Sequence, residues 1–461
     1  MNSQSKKMEL LGSASIPKAL LAMGIPTMIG MLVNAFYNLV DAYFVGGLGE
    51  SQMGAISVVY PLGQVVVGLG LLFGNGAASY ISRLLGQGDK ENADKVASTA
   101  LYSSISVGAV IIIISMIFLH PILKLLGATD SILPYAATYA GVYIVSCIFN
   151  VFNVTMNNIV TSEGAAKTTM CALLIGAVLN IALDPLFIYV FDLGVAGAAI
   201  ATAISQVVST CVYLTYILRK KSVFHFRVKD CTYSREIMSE IFKIGIPTLV
   251  FQILTSLSIS LINNAAGDYG DSAIAGMGVV TRLISMGSLS VFGFIKGFQP
   301  TAGYSYGAKK FDRLREAIKT SILWSTVFCV IFGLVLALFP TAIVSQFTKG
   351  DAEMIRIGAA SLRANGITIM LFGFYTVYSS LFLALGKGRE GFILGACRQG
   401  ICFIPVILLL PMVWGLNGIL YAQPIADVLS AIITVFMAIP LHKKLNEMQK
   451  QIATISTNNK N

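Results

Sequence analysis

The chain has 461 residues, of which 56% are hydrophobic and only 12% charged, about half the charge that coats a soluble domain. Apolar runs long enough to cross a bilayer recur from Ile16 to Leu441, which excludes a soluble enzyme, a nucleic-acid-binding domain and a disordered scaffold together. The net charge of +10 must then be explained by where the basic residues sit.

In chain order, twelve spans are expected, with apolar runs ending near Phe44, Tyr80, Leu119, Val160, Val190, Leu218, Ala265, Pro300, Pro340, Leu385, Val413 and Leu441. The first 15 residues are polar and the first apolar stretch is a full span, so no cleavable signal is expected. If the N-terminus is inside, the inner segments collect most of the 32 Lys+Arg. The outer loops hold Lys124, Lys349 and Arg356, while Arg282, Lys296 and Arg363 fall within spans. That bias puts both termini in the cytoplasm, and the basic charge reports topology in a lipid bilayer, not a nucleic-acid partner. Cys147, Cys171, Cys211, Cys329, Cys397 and Cys402 lie in apolar spans and read as small hydrophobes, leaving Cys231 in a loop. His120, His225 and His442 sit at span ends or in a loop, so neither a zinc site nor a Cys/His nucleophile pair is expected, and no cofactor.

The chain repeats itself. Gly24-Ile25-Pro26-Thr27 recurs as Gly245-Ile246-Pro247-Thr248, and the same shift of 221 carries Gly46 to Gly267, Gly86 to Gly307 and Gly194 to Gly415. One register held over nearly half the chain indicates duplication. Six spans per copy is an even number, so both copies insert with the same orientation and are related by an axis along the membrane normal. The expected fold class is an all-α polytopic membrane protein of two six-helix bundles. Residues 1–218 form the N-terminal lobe, 219–239 a cytoplasmic linker, 240–441 the C-terminal lobe and 442–461 a cytoplasmic tail. Duplicated bundles with a cleft at the midplane are typical of secondary transporters.

Ionisable groups within spans are costly and are functional candidates by default. Asp41, Asp184 and Asp427 are the acids well inside apolar spans. Counted at about 1.5 Å per residue, Asp41 and Asp184 both lie roughly 8–12 Å below the outer surface. Thr202 reaches the same depth on the descending span 6, and Asn180 is one turn from Asp184 on the same helical face. Four oxygen donors without sulfur or imidazole suit a hard cation such as Na⁺. Two adjacent carboxylates in low dielectric equally suit a shared proton. A structural part for Asp184 beside Pro185, at a helix kink, is the bland reading. Asn34, Asn38 and Asp41 form a polar stripe on span 1, and Asn150, Asn153 and Asn157 another on span 4. These serve as cavity wall or as helix–helix glue. Pro26 removes a backbone hydrogen bond beside the carboxylate layer and offers a bending point. Asp427 shares a midplane depth with Arg282 and Arg363 and is expected to pair with one of them structurally.

GIPT at 24–27, NLVDAYFVGGLG at 38–49, NIALDPLFIY at 180–189, GVAGAAIATAIS at 194–205 and GFQPTAGYSYGAKK at 297–310 resemble the MATE multidrug and toxic compound extrusion family, over nearly the whole chain. The resemblance implies two six-helix bundles in a V that exchange organic cations against inward Na⁺ or H⁺. It carries the family's N-lobe cation site onto Asp41, Asn180, Asp184 and Thr202, and cavity positions onto Tyr37, Asn153 and Asn157. It departs at span 7, where NorM-type members carry an acid and this chain reads Phe251-Gln252-Ile253-Leu254-Thr255-Ser256, so coupling is expected in the first half. The expected protein is a monomeric multidrug antiporter of the cell membrane and not an enzyme. The alternative is a lipid-linked oligosaccharide flippase or polysaccharide exporter of the same architecture, with Arg282, Lys296 and Arg363 available for a pyrophosphate.

Overall fold

The computed structural model describes residues 3–348 and 351–458. Lys349 of the expected outer-loop set and the last three residues of the tail lie outside that range. The N-terminal half comprises α1 (Ser3–Gly12), α2 (Ile16–Gly46), α3 (Glu50–Gln87), α4 (Lys90–Ile117), the short α5 (Leu119–Leu125), α6 (Leu133–Ser162), α7 (Ala166–Pro185) and α8 (Gly194–Leu218). The C-terminal half follows with α9 (Arg235–Gly267), α10 (Asp271–Gly307), α11 (Phe311–Leu338), the short α12 (Pro340–Ser345) and α13 (Ala352–Thr368). It ends with α14 (Phe372–Ala384), α15 (Gly388–Ala396), α16 (Phe403–Trp414) and α17 (Leu416–Asn458). A 3₁₀ turn joins α13 to α14, and π-helical turns follow α7 (Leu186–Val190) and α15 (Cys397–Ile401).

Among the described residues, 12 helical segments are long and apolar enough to cross a membrane, as the hydropathy pattern predicts. Apolar side chains such as Ile117, Met412, Val413 and Phe436 remain exposed on them, which suits a surface solvated by lipid tails. Several helices outrun their apolar stretch. α3 continues from Tyr80 to Gln87 and stops at Gly88, whose φ of 81° suits only a residue without a Cβ. Asp89 then caps α4 by accepting from the Asn92 amide. The expected separate tail after residue 441 is likewise a continuation of α17.

The segment after α8 is docked, not loose. Val223, Phe224 and Phe226 are buried in the N-lobe core with Ile81, Ala93, Val96 and Tyr213. Asp94 accepts from the His225 amide at 2.8 Å, and the Thr232 amide donates to Thr99 at 2.9 Å. α1 touches both halves. Lys7 reaches buried Glu163 at 3.1 Å and also bonds Tyr216, while Lys310 and Arg313 from the second half cap the carbonyls of Gly12 and Leu11. Fully buried charge at Glu163 is satisfied by Lys7, Tyr216, Ser222 and the Val223 amide.

The duplication is visible in how the halves meet. α2 packs on α10, and α3 packs on α9. A Cβ built on Gly86 would lie 2.2 Å from the Tyr304 carbonyl oxygen, and one on Gly307 would lie 2.1 Å from that of Arg83. The shift of 221 that relates Gly86 to Gly307 also relates Arg83 to Tyr304. The two contacts are therefore one contact seen twice across a pseudo-two-fold axis. Lower helix ends are bound further by Arg83 to Glu240 at 2.6 Å, so the lobes are closed on the face that carries the termini.

Two outcomes are expected. Gly86→Val and Gly307→Val should each force the backbones apart and lengthen spin-label distances between the ends of α3 and α10, with equal effect at the two sites. Cys231 should escape an impermeant maleimide in intact cells and react in inside-out vesicles, as read by peptide mapping. Burial, and then the neighbouring Asp230, hold its thiol above the ordinary range, so labelling should accelerate as pH is raised through the alkaline region.

Candidate cation site and the buried charges

Three helices build the site. α2 rises carrying Tyr37 and Asp41, α7 carries Asn180 and Asp184 one turn apart, and α8 descends with Thr202. α7 packs against both α2 and α8, which brings the four residues together as their depth in the sequence predicts. The Asn180 amide donates to Asp184 Oδ1 and to Thr202 Oγ1, each at 3.4 Å. The Asp41 and Asp184 carboxyl groups lie within side-chain hydrogen-bonding reach of each other. Asp184 is fully buried and Asn180 nearly so.

Asp41 Oδ1, Asn180 Oδ1 and Asp184 Oδ2 are all buried without a hydrogen-bond partner. Buried acceptors are normally paired. Three orphaned oxygens in one cluster therefore fit a cation that accepts oxygen ligands, or a proton placed between the carboxyls. Pro185 ends α7, and the chain continues as the π-helical turn before Tyr189 donates to the Phe44 carbonyl at 2.5 Å. This bond ties the upper ends of α2 and α7 around the site.

Other candidates divide. Asn34 and Asn38 are exposed on α2, where the Asn38 amide donates to the Asn34 carbonyl at 2.7 Å. Tyr37 faces the carboxylates. Asn153 donates to Gln206 and accepts from Thr210 at 3.0 Å, so its amide joins α6 to α8 within the lobe and is not presented to a cavity. Asn157 bonds Tyr213 at 3.3 Å and accepts from Lys296 across the lobe boundary. Pro26 is buried and α2 runs through it as one helix. It is not beside the carboxylate layer. Fifteen residues separate it from Asp41, roughly 22 Å along the axis, and it sits instead at the crossing with α10, where Thr27 donates to the Gly293 carbonyl at 2.6 Å.

Asp427 does not pair with Arg282 or Arg363, both of which are exposed. Its partner is Arg398, whose Nε lies 2.8 Å from Asp427 Oδ1 with both side chains buried. Gln423 and Thr368 donate to the same carboxylate, and the Arg398 guanidinium stacks 4.7 Å over Phe372. The sequence does not single out Arg398, which precedes the densest apolar stretch of its span, residues 401–413. The helix begins at Gly388 and carries Arg398 well into the span. The helix start was the available signal.

A duplicated, two-lobe polytopic membrane protein with one buried carboxylate pair in its first lobe is the class defined by this geometry, that of a secondary transporter. The MatE family model matches residues 26–186 and 247–409, once in each half. The chain belongs to the MATE family. It is 32% identical over 429 residues to the multidrug export protein MepA of Staphylococcus aureus (strain MSSA476), covering 93% of this chain and 94% of that one. It is 31% identical over 433 residues to MepA of Staphylococcus saprophyticus, covering 94% and 95%. The solved outward-facing conformation of a multidrug resistance MATE family transporter of the MOP superfamily superposes with a TM-score of 0.90 at 28% identity, covering 96% of this chain and 99% of that one.

Removing one partner from a buried pair leaves an uncompensated charge and costs about 3–5 kcal/mol. Asp427→Asn and Arg398→Gln should therefore both lower the melting temperature of the purified protein sharply. Arg282→Gln and Arg363→Gln should leave it nearly unchanged in the same thermal-shift measurement.

Proposed function

We propose that this protein exports amphipathic organic cations across the cell membrane in exchange for inward Na⁺ or H⁺. The relatives named as multidrug exporters support the direction and breadth of transport. The observation that carries the coupling is the cluster of orphaned oxygens at Asp41, Asn180 and Asp184. Two carboxyls this close cannot both stay ionised and unaccompanied in a low-dielectric bundle. In the outward-facing form they take the coupling ion. With Thr202 and the Asn180 amide they hold it, and Tyr37 lines the approach. The coupling ion neutralises the lobe, and its release to the cytoplasm restores the negative charge that attracts a cationic cargo.

Alternating access follows from two rigid lobes rocking about the crossings of α2 with α10 and α3 with α9. Pro26, which lacks an amide donor at the first of these crossings, serves as the hinge. Both walls of the cleft come from one chain, so a monomer is sufficient, with both termini in the cytoplasm. The rival flippase reading loses ground to the distribution of positive charge. Of Arg282, Lys296 and Arg363, the lysine lines the crevice between the lobes, whereas the two arginines are exposed.

Asp41→Asn and Asp184→Asn keep size and polarity but remove the titratable charge. Uptake of a fluorescent organic cation into inverted proteoliposomes, driven separately by a Na⁺ or a pH gradient, should fall at least tenfold in each. Insertion should stay near wild type because a neutral amide is easier to bury. Near-normal coupled transport per inserted molecule in both variants would overturn the coupling site.

A further inference from the structure

Lys296 is a span lysine that the cation site does not use. It lies on α10, 11 residues before the helix ends at Gly307, and so about 16 Å from that face of the membrane. Its ammonium donates to Asn157 Oδ1 on α6, in the other lobe. Among the described residues no carboxylate forms an ion pair with it, whereas Arg398, a buried span cation of the same lobe, is matched to Asp427. A small crevice opens beside it, walled by Asn75, Asn158 and Thr161 from the first lobe and Gln299 from the second. Lys296 thus combines a half-buried full charge deep in a span, a neutral amide partner, polar walls and an opening.

An ammonium at this depth is expensive unless an anion accompanies it. A neutral amide satisfies one of its three donors and none of its charge. The carboxylate pair is far above it along α2, so the protein's own acids do not supply the match. Amides around the cation are suitable second donors to an oxyanion, and the two lobes meet here.

We propose that Lys296, with Asn157 and Gln299, forms a carboxylate subsite that receives the acid group of a zwitterionic amphiphile. The inference rests on the export reading above for its physiological meaning but is testable without it. Cargo carrying a carboxylate displaces Asn157 from the ammonium and engages it directly. Cargo with an ester in place of the acid binds by its cationic and apolar parts alone.

Rhodamine B and its ethyl ester form a matched pair of probes, differing only in the free carboxylate. Their affinities for the purified full-length protein are read by fluorescence polarisation. Lys296→Gln should weaken rhodamine B by about tenfold or more, the order expected for losing one charge-assisted hydrogen bond, and shift the ester by less than about twofold. Lys296→Arg should retain most of the affinity. Asn157→Asp, which supplies an internal carboxylate to the ammonium, should show the same selective loss and covers failure of the first variant to fold. Equal loss of both probes, no loss of either, or no binding of rhodamine B to the wild type would overturn the subsite. Failure of gradient-driven export of the ester, with the Lys296-dependent selectivity intact, would instead refute the export reading and leave the subsite standing.

Discussion

An ionised side chain inside a bilayer must find a counter-charge, and this constraint organises the polar interior of both lobes. The second lobe solves it internally: Arg398 and Asp427 neutralise each other, with Gln423, Thr368 and the face of Phe372 completing the surround. The first lobe does not. Its two acids approach each other with no arginine or lysine between them, and the neighbouring amide and hydroxyl leave three oxygens without donors. The shift of 221 places Thr202 on Gln423 and Gln206 on Asp427. Comparable layers of the two copies have thus become a self-sufficient ion pair in one lobe and an ion-demanding carboxylate pair in the other. A duplicated protein needs only one lobe to respond to an external ion.

Movement of one lobe against the other depends on how closely their backbones approach. Glycines at equivalent positions of the two copies remove the side chain where α3 meets α10 and where each repeat's first helix meets the other's second. A Cβ on Gly76 would sit 2.3 Å from the Ile241 carbonyl oxygen, and one on its equivalent Gly297 would sit 2.4 Å from the Gly24 amide nitrogen. Such contacts in lipid are held by dispersion and close approach, without a hydrophobic driving force. They can be broken and remade over the cycle at modest cost, unlike a buried ion pair. The ion pairs lie within a lobe or at the closed face, as Arg83 to Glu240 does.

The fold was legible because its two signals are long-range and repetitive: span length and one sustained glycine register. The clustering of the four polar residues was legible for a related reason. Asp41, Asn180, Asp184 and Thr202 lie on straight helices of known direction, where residue counts convert into depth. Errors arose where counting started from the apolar run and not from the helix. Arg398 escapes notice because it precedes the densest apolar stretch of its helix, residues 401–413. Pro26 was placed near the carboxylates although the same arithmetic puts it four turns away. The docked segment at Val223 to Phe226 and the Lys7–Glu163 pair depend on tertiary burial of residues from distant parts of the chain, for which local periodicity has no signature. Asn153 shows the remaining limit: a polar stripe gives the face, and only the neighbouring helix decides whether that face meets water or Gln206.

Unmatched charge is thereby sorted along the transport path. Deep in the first lobe, near one end of the cleft, the uncompensated groups are acidic. At the lobe crossing, near the closed face, the uncompensated group is the Lys296 ammonium, tethered to Asn157. On the export reading proposed above, a cation passing Lys296 would be repelled there and attracted at the carboxylates, whereas a dipolar cargo would gain at both points in turn. The asymmetry between the two copies is therefore one of position as well as of sign: acidic oxygens without donors lie deep in the first lobe, and an ammonium without a carboxylate partner sits on the second lobe where it crosses the first.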